Sequence, residues 1–261
     1  MKKVVAIIQA RMGSTRLPGK VMKEIAGKPM LYHVINRVKH AKELNDIVIA
    51  TTNLKEDSQI LDLASEMGVR SYAGSQNDVL DRYYQSAIIS KAEVIVRITA
   101  DCPLADPNVI DKVVRYFLIN DFDYVGTSII PTYPDGIDVE VFSFMSLKKA
   151  WSEAKLYSER EHVTPYIWKN PNIFRIENLK NDEDISYMRW SVDEQRDLEF
   201  VREIYKRLYV KDALFYMEEV VDLLMKNPEL MDINKDIVRN EGYNKSIKED
   251  KTIKIKRRSK K

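Results

Sequence analysis

The chain has 261 residues, of which 44% are hydrophobic, enough for one large α/β domain or two smaller ones. No stretch approaches the roughly 20 apolar residues of a membrane-spanning helix, and the N-terminus lacks a signal-peptide pattern, so we expect a cytoplasmic protein without a membrane span. Cys102 is the single cysteine and excludes an internal disulfide, and three scattered histidines argue against a histidine-rich zinc site.

The charge is unevenly distributed along the chain. The formal net charge is +2, but residues 245–261 contain nine Lys or Arg and two acidic residues. This tail therefore carries +7, and the rest of the chain carries −5. Because the tail has no aromatic side chain that could stack on bases, we predict a solvated, unordered segment at 244–261. Binding of nucleic acid or anionic lipid by the tail is the alternative.

Strand and helix patterns alternate through the first half of the chain. The predicted strands are 4–9, 46–51, 69–73, 93–101 and 123–128, and the predicted helices are 29–42, 56–67, 77–91 and 106–120. Repeated strand–helix–strand units imply a mostly parallel sheet with helices on both faces. The sequence therefore predicts a three-layer α/β/α domain.

The pattern changes in the second half. Strands are predicted in IDVEVFSF (137–144), IFRIENL (173–179) and YMRWSVD (187–193), and helices at 144–155, 158–169, 194–208 and 215–225. We assign residues 1–230 to the main domain, with an insertion at about 129–186, and we treat 231–243 as a C-terminal extension.

The loop after the first strand, RMGSTRLPGK (residues 11–20), is the strongest functional signal. It holds three cations, two glycines and two hydroxyls, more than a surface turn requires. In an open parallel sheet, ligands bind beyond the carboxyl ends of the strands. Glycines allow the backbone to approach an anion, and Arg11, Arg16 and Lys20 add positive charge. The loop therefore predicts a binding site for a phosphate chain, such as a triphosphate.

The common phosphate-loop motifs do not match this loop. The Walker A motif has four residues between its glycines and then Lys followed by Ser or Thr. Here five residues separate Gly13 from Gly19, and Val21 follows Lys20. The dinucleotide fingerprint G-x-G-x-x-G is also absent, so the loop is of another type.

The segment QARMGSTRLPGKVMKEIAGKPML (residues 9–31) resembles the N-terminal signature of the cytidylyltransferases that activate acidic sugars. These are the acylneuraminate and 3-deoxy-manno-octulosonate cytidylyltransferases, and the segment is most similar to their relatives of the spore coat polysaccharide biosynthesis protein F group. The resemblance implies a Rossmann-like nucleotide-diphosphosugar transferase fold with a mixed, mostly parallel sheet. It also implies transfer of CMP from CTP to a sugar acid or related acidic acceptor, with release of pyrophosphate, in surface polysaccharide precursor synthesis.

The same resemblance implies a set of nucleotide-binding residues. In the family this loop wraps the triphosphate of CTP, and Lys20 is the residue that we expect to stabilise charge in the transition state. We add Thr99, at the end of a strand, as a candidate contact to the base. The predicted nucleotide-binding residues are Ala10, Arg11, Met12, Gly13, Arg16, Lys20 and Thr99.

Two aspartates are candidate ligands of Mg²⁺. Asp101 follows the strand VIVRITA, and Asp193 lies in RWSVDEQRDLEFV. From the residues alone, Asp101 is equally well a turn cap, and Asp193 is equally well the N-cap of the helix that starts at Glu194. The resemblance assigns both to the metal, although EQ follows Asp193 here in place of the family's small residue and proline. The predicted catalytic residues are Arg11, Lys20, Asp101 and Asp193.

The candidate acceptor-binding residues are Asp138, Glu140, Glu161 and His162, whose segments resemble the spore coat group. Each has a structural alternative. Asp138 and Glu140 share one face of a half-exposed strand, Glu161 has the spacing of a helix capping box with Ser158, and His162 is often a structural hydrogen-bonding residue. The insertion that contains them also carries Trp151, Tyr166, Trp168 and Phe174, which form either core or the face of a homodimer. The resemblance implies a homodimer, because dimers of the family form through such an insertion.

Several functions remain open at this point. A related enzyme with another nucleoside triphosphate, or a glycosyltransferase that consumes a nucleotide sugar, needs the same phosphate site. A nucleotide-binding protein without turnover is an alternative of another class, but the presence of both aspartates argues against it. Sialic-type sugar acids, other sugar acids, phosphonates and phosphorylated small molecules are all compatible with the sequence as acceptors.

Overall fold

The computed structural model describes residues 2–211 and 213–258, with side chains as far as Asp250. The strands are β1 (Val4–Gln9), β2 (Glu24–Ile25), β3 (Lys28–Pro29), β4 (Asp46–Thr52), β5 (Arg70–Gly74), β6 (Val94–Thr99), β7 (Tyr124–Gly126), β8 (Glu140–Ser143) and β9 (Ile176–Asn178). The α-helices are α1 (Met30–Val38), α2 (Ser58–Glu66), α3 (Val79–Ser90), α4 (Pro107–Ile119), α5 (Phe144–Glu153), α6 (Tyr157–His162), α7 (Pro165–Trp168), α8 (Gln195–Leu208), α9 (Met217–Lys226) and α10 (Glu241–Arg258). Within the described residues, no helix is both long enough and apolar enough to cross a membrane.

One seven-stranded sheet organises the molecule, in the order β5-β4-β1-β6-β8-β7-β9. The first four of these strands are parallel, and their register brings the end of β1 beside the ends of its neighbours, with Gln9 opposite Ala50 and Thr99. Strand β8 is antiparallel to both of its neighbours, and β7 is parallel to β9. The predicted mixed, mostly parallel sheet is confirmed.

Successive side chains of the central strand β1 point to opposite faces of the sheet and enter two different hydrophobic cores. Ala6 and Ile8 pack on one face of the sheet with residues of α1, α4 and α8. Val5 and Ile7 pack on the other face with residues of α3 and α5. All four are fully buried, which explains why β1 reads as a continuous apolar run. Helices on both faces of the sheet confirm the predicted three layers.

Two predicted elements of the second half are wrong. Residues 187–193 do not form a strand, apart from a single bridge between Asp135 and Arg189, because their polar side chains enter a buried ion-pair network described below. The predicted helix 158–169 is divided into α6 and α7 at Val163, whose φ is 70°. Pro165 starts α7 because it has no N–H with which to continue α6.

The aromatic residues of the insertion pack on the protein itself. Phe174 is buried in the second core, and Trp151, Tyr166 and Trp168 lie against that core partly buried. The ring of Trp151 stacks on Tyr84 at 4.2 Å between centroids. These residues are therefore largely core, and the homodimer stays a prediction.

The prediction that residues from 244 onward are unordered is wrong for residues 244–250, which belong to α10 (Glu241–Arg258). The helix packs on α6, where Asp250 accepts hydrogen bonds from the backbone N–H of Ser158 at 3.0 Å and from its hydroxyl. Residues 259–261 lie outside the described residues.

Candidate active site

A cleft of about 800 Å³ lies at the carboxyl ends of β1 and β6. Its walls come from the loop after β1, from α3 and α6, and from the first turns of α10. The predicted site residues that line it are Ala10, Arg11, Gly13, Arg16, Lys20, Thr99, Asp101, Glu161, His162 and Asp193. The fold thus brings together segments that are distant in sequence.

The loop after β1 is held in a compact shape by its own backbone. The carbonyl of Met12 accepts hydrogen bonds from the N–H groups of Ser14 at 2.8 Å and Gly19 at 3.0 Å. Gly19 has a φ of 67°, a conformation that side chains disfavour. The N–H of Met12 donates to Asp57 at 2.6 Å, while its side chain packs against the core instead of lining the cleft.

Lys20 joins the two candidate metal ligands. Its ammonium group donates to Asp101 Oδ2 at 2.8 Å, to Asp193 Oδ1 at 2.9 Å and to the Val192 carbonyl at 2.8 Å. Burial disfavours the ammonium charge, but the two carboxylates outweigh this and raise the pKa of Lys20. Burial likewise opposes the charge of Asp101, yet Lys20 lowers the pKa of that carboxyl.

Asp101 and Asp193, whose carboxylates meet at Lys20, are suitable ligands for Mg²⁺. Two carboxylates converge on one cation, and Asp101 is held ionised, as a hard oxygen ligand must be. In the part of the chain that the structure describes, no group of three or more His, Cys, Asp or Glu side chains is arranged to hold a metal ion. A magnesium ion here would therefore take its remaining ligands from phosphate oxygens or water, as Mg²⁺ commonly does beside nucleotides.

The two loop arginines are also paired with carboxylates. Arg16 contacts Asp193 at 2.9 Å and Glu241 of α10 at 2.7 Å. Arg11 contacts Glu161 of α6 at 3.0 Å. All three cations of the loop thus have protein carboxylates as partners in this structure. A polyphosphate that binds these cations would replace the carboxylates.

Two of the four predicted acceptor-binding residues do not line the cleft. Glu140 is 5% exposed and accepts hydrogen bonds from Tyr124 at 2.7 Å and Thr164 at 2.6 Å, besides its ion pair with Arg97. The prediction for Glu140 is therefore corrected: it belongs to an internal polar cluster whose partners already satisfy it.

Asp138 also lies away from the cleft lining. Its carboxylate pairs with Arg239 at 2.7 Å. Desolvation and the nearby Asp135 raise the pKa of Asp138 to about 6, against the opposing effect of Arg239. Asp138 thus pairs with Arg239 in this structure, and its contact with an acceptor stays a prediction.

The other two predicted acceptor-binding residues, Glu161 and His162, line the cleft. The predicted capping box of Glu161 is wrong, because Glu159 takes that position and accepts the N–H of Leu156 at 3.0 Å. Burial lowers the pKa of His162 to about 4, with a further contribution from nearby arginines. The neutral ring is 3.0 Å from the hydroxyl of Ser246 on α10.

The predicted N-cap role of Asp193 is wrong. Glu194 is the N-cap of α8, and Asp197 at the third helical position accepts the Glu194 N–H at 3.0 Å. This spacing is visible in the sequence and identifies Asp197, which sequence reasoning missed. Arg82 and Glu241 line the cleft as well, and no local sequence signal marks either of them.

Several known proteins are similar to this chain over most of its length. The model of the cytidylyltransferase family matches residues 5–247. An uncharacterized protein of Methanocaldococcus jannaschii is 41% identical over 243 residues, which cover 92% of this chain and 98% of that protein. The spore coat polysaccharide biosynthesis protein SpsF of Bacillus subtilis is 30% identical over 238 residues, which cover 88% and 97%.

A solved cytidylyltransferase structure from Leptospira borgpetersenii is 33% identical to this chain. It superimposes with a TM-score of 0.84 and covers 88% of this chain and 97% of its own. A family match over most of the chain, with relatives matched along nearly their full length, leads to one conclusion: the chain belongs to the cytidylyltransferase family.

Proposed function

We propose that the protein transfers CMP from CTP to a small acidic acceptor and releases pyrophosphate, with Mg²⁺ as the cofactor. The observation that carries this proposal is the meeting of Lys20, Asp101 and Asp193 at the edge of the cationic loop. These groups suit a nucleotide whose phosphates bind the loop and whose cation binds the carboxylates.

The reaction needs no nucleophile from the protein. An oxygen of the acceptor attacks the α-phosphorus of CTP, and the bond from that phosphorus to the bridging oxygen of the β-phosphate breaks. Cys102 is a poor nucleophile here, because burial keeps its pKa well above the ordinary value and the thiol protonated. The protein's contribution is positioning and charge stabilisation.

The three cations of the loop and the two aspartates beside it have defined tasks in this proposal. Lys20, Arg16 and Arg11 release their carboxylate partners and bind phosphate oxygens. Asp101 and Asp193 would hold Mg²⁺, which neutralises charge on the phosphates when bound. The exchange gives Asp101 and Asp193 the metal ion as a new partner, and it separates Glu161 and Glu241 from the arginines that they contact in this structure.

The remaining parts of the prediction belong to this proposal. Thr99 at the end of β6 is proposed to contact the base, and Glu161 and His162 to face the acceptor. The name of the Bacillus subtilis relative supports a role in surface polysaccharide precursor synthesis. The resemblance of residues 9–31 to the cytidylyltransferases of acidic sugars supports a sugar acid as the acceptor. A cytoplasmic homodimer is the expected form of the enzyme.

The test is pyrophosphate release from CTP and Mg²⁺ with a panel of sugar acids and other acidic acceptors, with the product identified by its mass. We expect Asp101→Asn to lower the rate by at least about 100-fold, because it removes a charged ligand at the phosphates. Asp106→Asn is the matched control, because Asp106 is a buried aspartate away from the cleft lining and Asn is also a good N-cap for α4. Asp106 Oδ2 also accepts the N–H of Met217 at 2.6 Å, so we expect this variant to be less stable but to keep its rate at a temperature where it is folded.

Three results would contradict the proposal. Equal rates in the Asp101→Asn and Asp106→Asn variants would remove Asp101 from the chemistry. Tighter binding of UTP, ATP or GTP than of CTP would favour another nucleotide. CTP binding without turnover across the panel would favour a nucleotide-binding protein of another class.

A further inference from the structure

Arg189 lies behind the cleft at the centre of a buried ion-pair network. Its side chain is 6% exposed and does not line the cleft. The guanidinium group contacts three carboxylates: Asp135 at 2.7 Å, Asp193 at 3.1 Å and Asp197 at 2.9 Å. Arg189 thus holds three carboxylates together, and two of them have further cationic partners: Asp135 contacts Arg239, and Asp193 contacts Lys20 and Arg16.

Asp197 fixes both Arg189 and the backbone at Asp193. Its carboxylate is fully buried and accepts Nε and Nη2 of Arg189 at 2.9 and 3.0 Å, a bidentate pair. It also accepts the backbone N–H of Asp193 at 2.9 Å. Asn234 completes the site by donating to Asp197 at 2.9 Å and to the Arg189 carbonyl at 3.1 Å.

The two oxygens of Asp193 consequently have different partners. Oδ2 accepts Nη2 of Arg189 at 3.1 Å on the buried side. Oδ1 lies toward the cleft, 2.9 Å from both Lys20 and Arg16. With its backbone held by Asp197 and one oxygen held by Arg189, the carboxylate has one oxygen directed at the phosphate loop.

We propose that Arg189, held by Asp197, is a positioning residue. It directs Oδ1 of Asp193 toward the Mg²⁺ ion that would bind together with CTP. The inference rests on the proposed function, since it concerns how the chain's own residues hold a metal ligand. Hydrogen bonds behind a ligand commonly set its orientation, and their loss weakens metal binding by about 10–100-fold. Arg189 itself does not line the cleft and contacts Asp193 through Oδ2.

The test measures Mn²⁺ binding in the presence of CTP. The electron paramagnetic resonance signal of free Mn²⁺ reports this binding and requires no turnover. We expect Arg189→Lys to weaken Mn²⁺ binding by about tenfold, because a lysine keeps the charge but loses the planar fork. Asp193→Asn, the reference for a lost ligand, should weaken it at least as much. The apparent KM for the metal in pyrophosphate release should rise in parallel.

Arg37→Lys is the matched control. Arg37 is also a buried arginine, 2% exposed, but it donates to the carbonyls of Ala105 and Phe215 away from the cleft. We expect it to lower the thermal unfolding midpoint without changing Mn²⁺ binding. Equal Mn²⁺ affinity in Arg189→Lys and the wild type, or equal losses in the two lysine variants, would overturn the inference.

Other outcomes also decide the question. If Arg189→Lys does not fold, Asn234→Ala replaces it in the test, because this variant removes a donor to Asp197 and leaves Arg189 in place. We then expect Mn²⁺ binding to weaken by roughly threefold. Unchanged Mn²⁺ binding in Asn234→Ala would overturn the inference. Unchanged binding in Asp193→Asn would overturn it too. Absence of CTP-dependent Mn²⁺ binding in the wild type would count against the proposed function itself.

Discussion

Lys20 is the residue at which the charges of the cleft meet. Its ammonium group is 11% exposed and lies between Asp101 and Asp193, which would otherwise repel each other across the cleft. In water such pairs contribute little, but partial burial strengthens them. A lysine in this position keeps the two carboxylates close together, at the place where we propose that the cation of CTP binds.

His162 makes the stability of the protein depend on pH. Its folded-state pKa of about 4 lies below the ordinary value of 6.5, with burial as the main cause. Below pH 6.5 the unfolded chain therefore binds a proton that the folded chain does not. We expect the free energy of unfolding to fall as the pH decreases from about 6.5 toward about 4.

The variant His162→Gln isolates this contribution, because it keeps a polar side chain beside Ser246 but cannot titrate. Urea unfolding at pH 7 and pH 5 measures the effect in both proteins. We expect the wild type to lose more stability between these two pH values than the variant. Equal losses would show that His162 is not the group responsible.

At the scale of the elements, α10 is a wall of the cleft as well as a C-terminal helix. It is anchored to α6 through Asp250 and Ser246, and its first residue, Glu241, contacts Arg16 of the phosphate loop. The helix therefore connects the C-terminal part of the chain to the proposed triphosphate site. A phosphate group that binds Arg16 must displace the Glu241 carboxylate.

We expect Glu241→Gln to increase the affinity for CTP by up to about fivefold. The glutamate is 62% exposed, so its ion pair with Arg16 is worth at most about 1 kcal/mol. Isothermal titration calorimetry measures the change. Glu249→Gln is the control, because Glu249 lines the same cleft and has no ion pair with Arg16; equal gains in both variants would indicate a general charge effect.

At the scale of the whole molecule, the positive charge of the chain is concentrated at its C-terminal end. The described contacts of α10 with α6 and with the phosphate loop lie at residues up to Asp250. Residues 251–261 contain seven Lys or Arg and no acidic residue. Without them the formal net charge changes from +2 to −5.

We expect a variant that ends at Asp250 to keep its rate of pyrophosphate release and to unfold within about 2 °C of the full chain. Any binding of nucleic acid by the full chain should depend steeply on salt concentration and should be lost in this variant. Thermal unfolding, the enzymatic assay and a binding titration at two salt concentrations measure these outcomes. Loss of turnover in the shortened chain would assign the end of the chain to the active site.

The amino-acid sequence by itself determined the features that depend on local patterns. Continuous apolar runs such as Val4–Gln9 and periodic helices predict the layered sheet, because burial on two faces leaves a direct trace in composition. The crowding of Arg11, Arg16 and Lys20 in one loop predicts an anion site, because a surface turn does not need this concentration of positive charge. Asp101 could be placed beside this loop because the carboxyl ends of neighbouring parallel strands meet at one edge.

Only the tertiary structure decided which polar residues face the cleft. Glu140 lies in a strand whose alternation suited a half-exposed face, yet Arg97, Tyr124 and Thr164 enclose it. Contacts across long stretches of sequence, such as Arg16 with Glu241, leave no local pattern, because each partner is an ordinary charged residue in its own segment. The burial that turns these ordinary charges into a site exists only after the chain has folded.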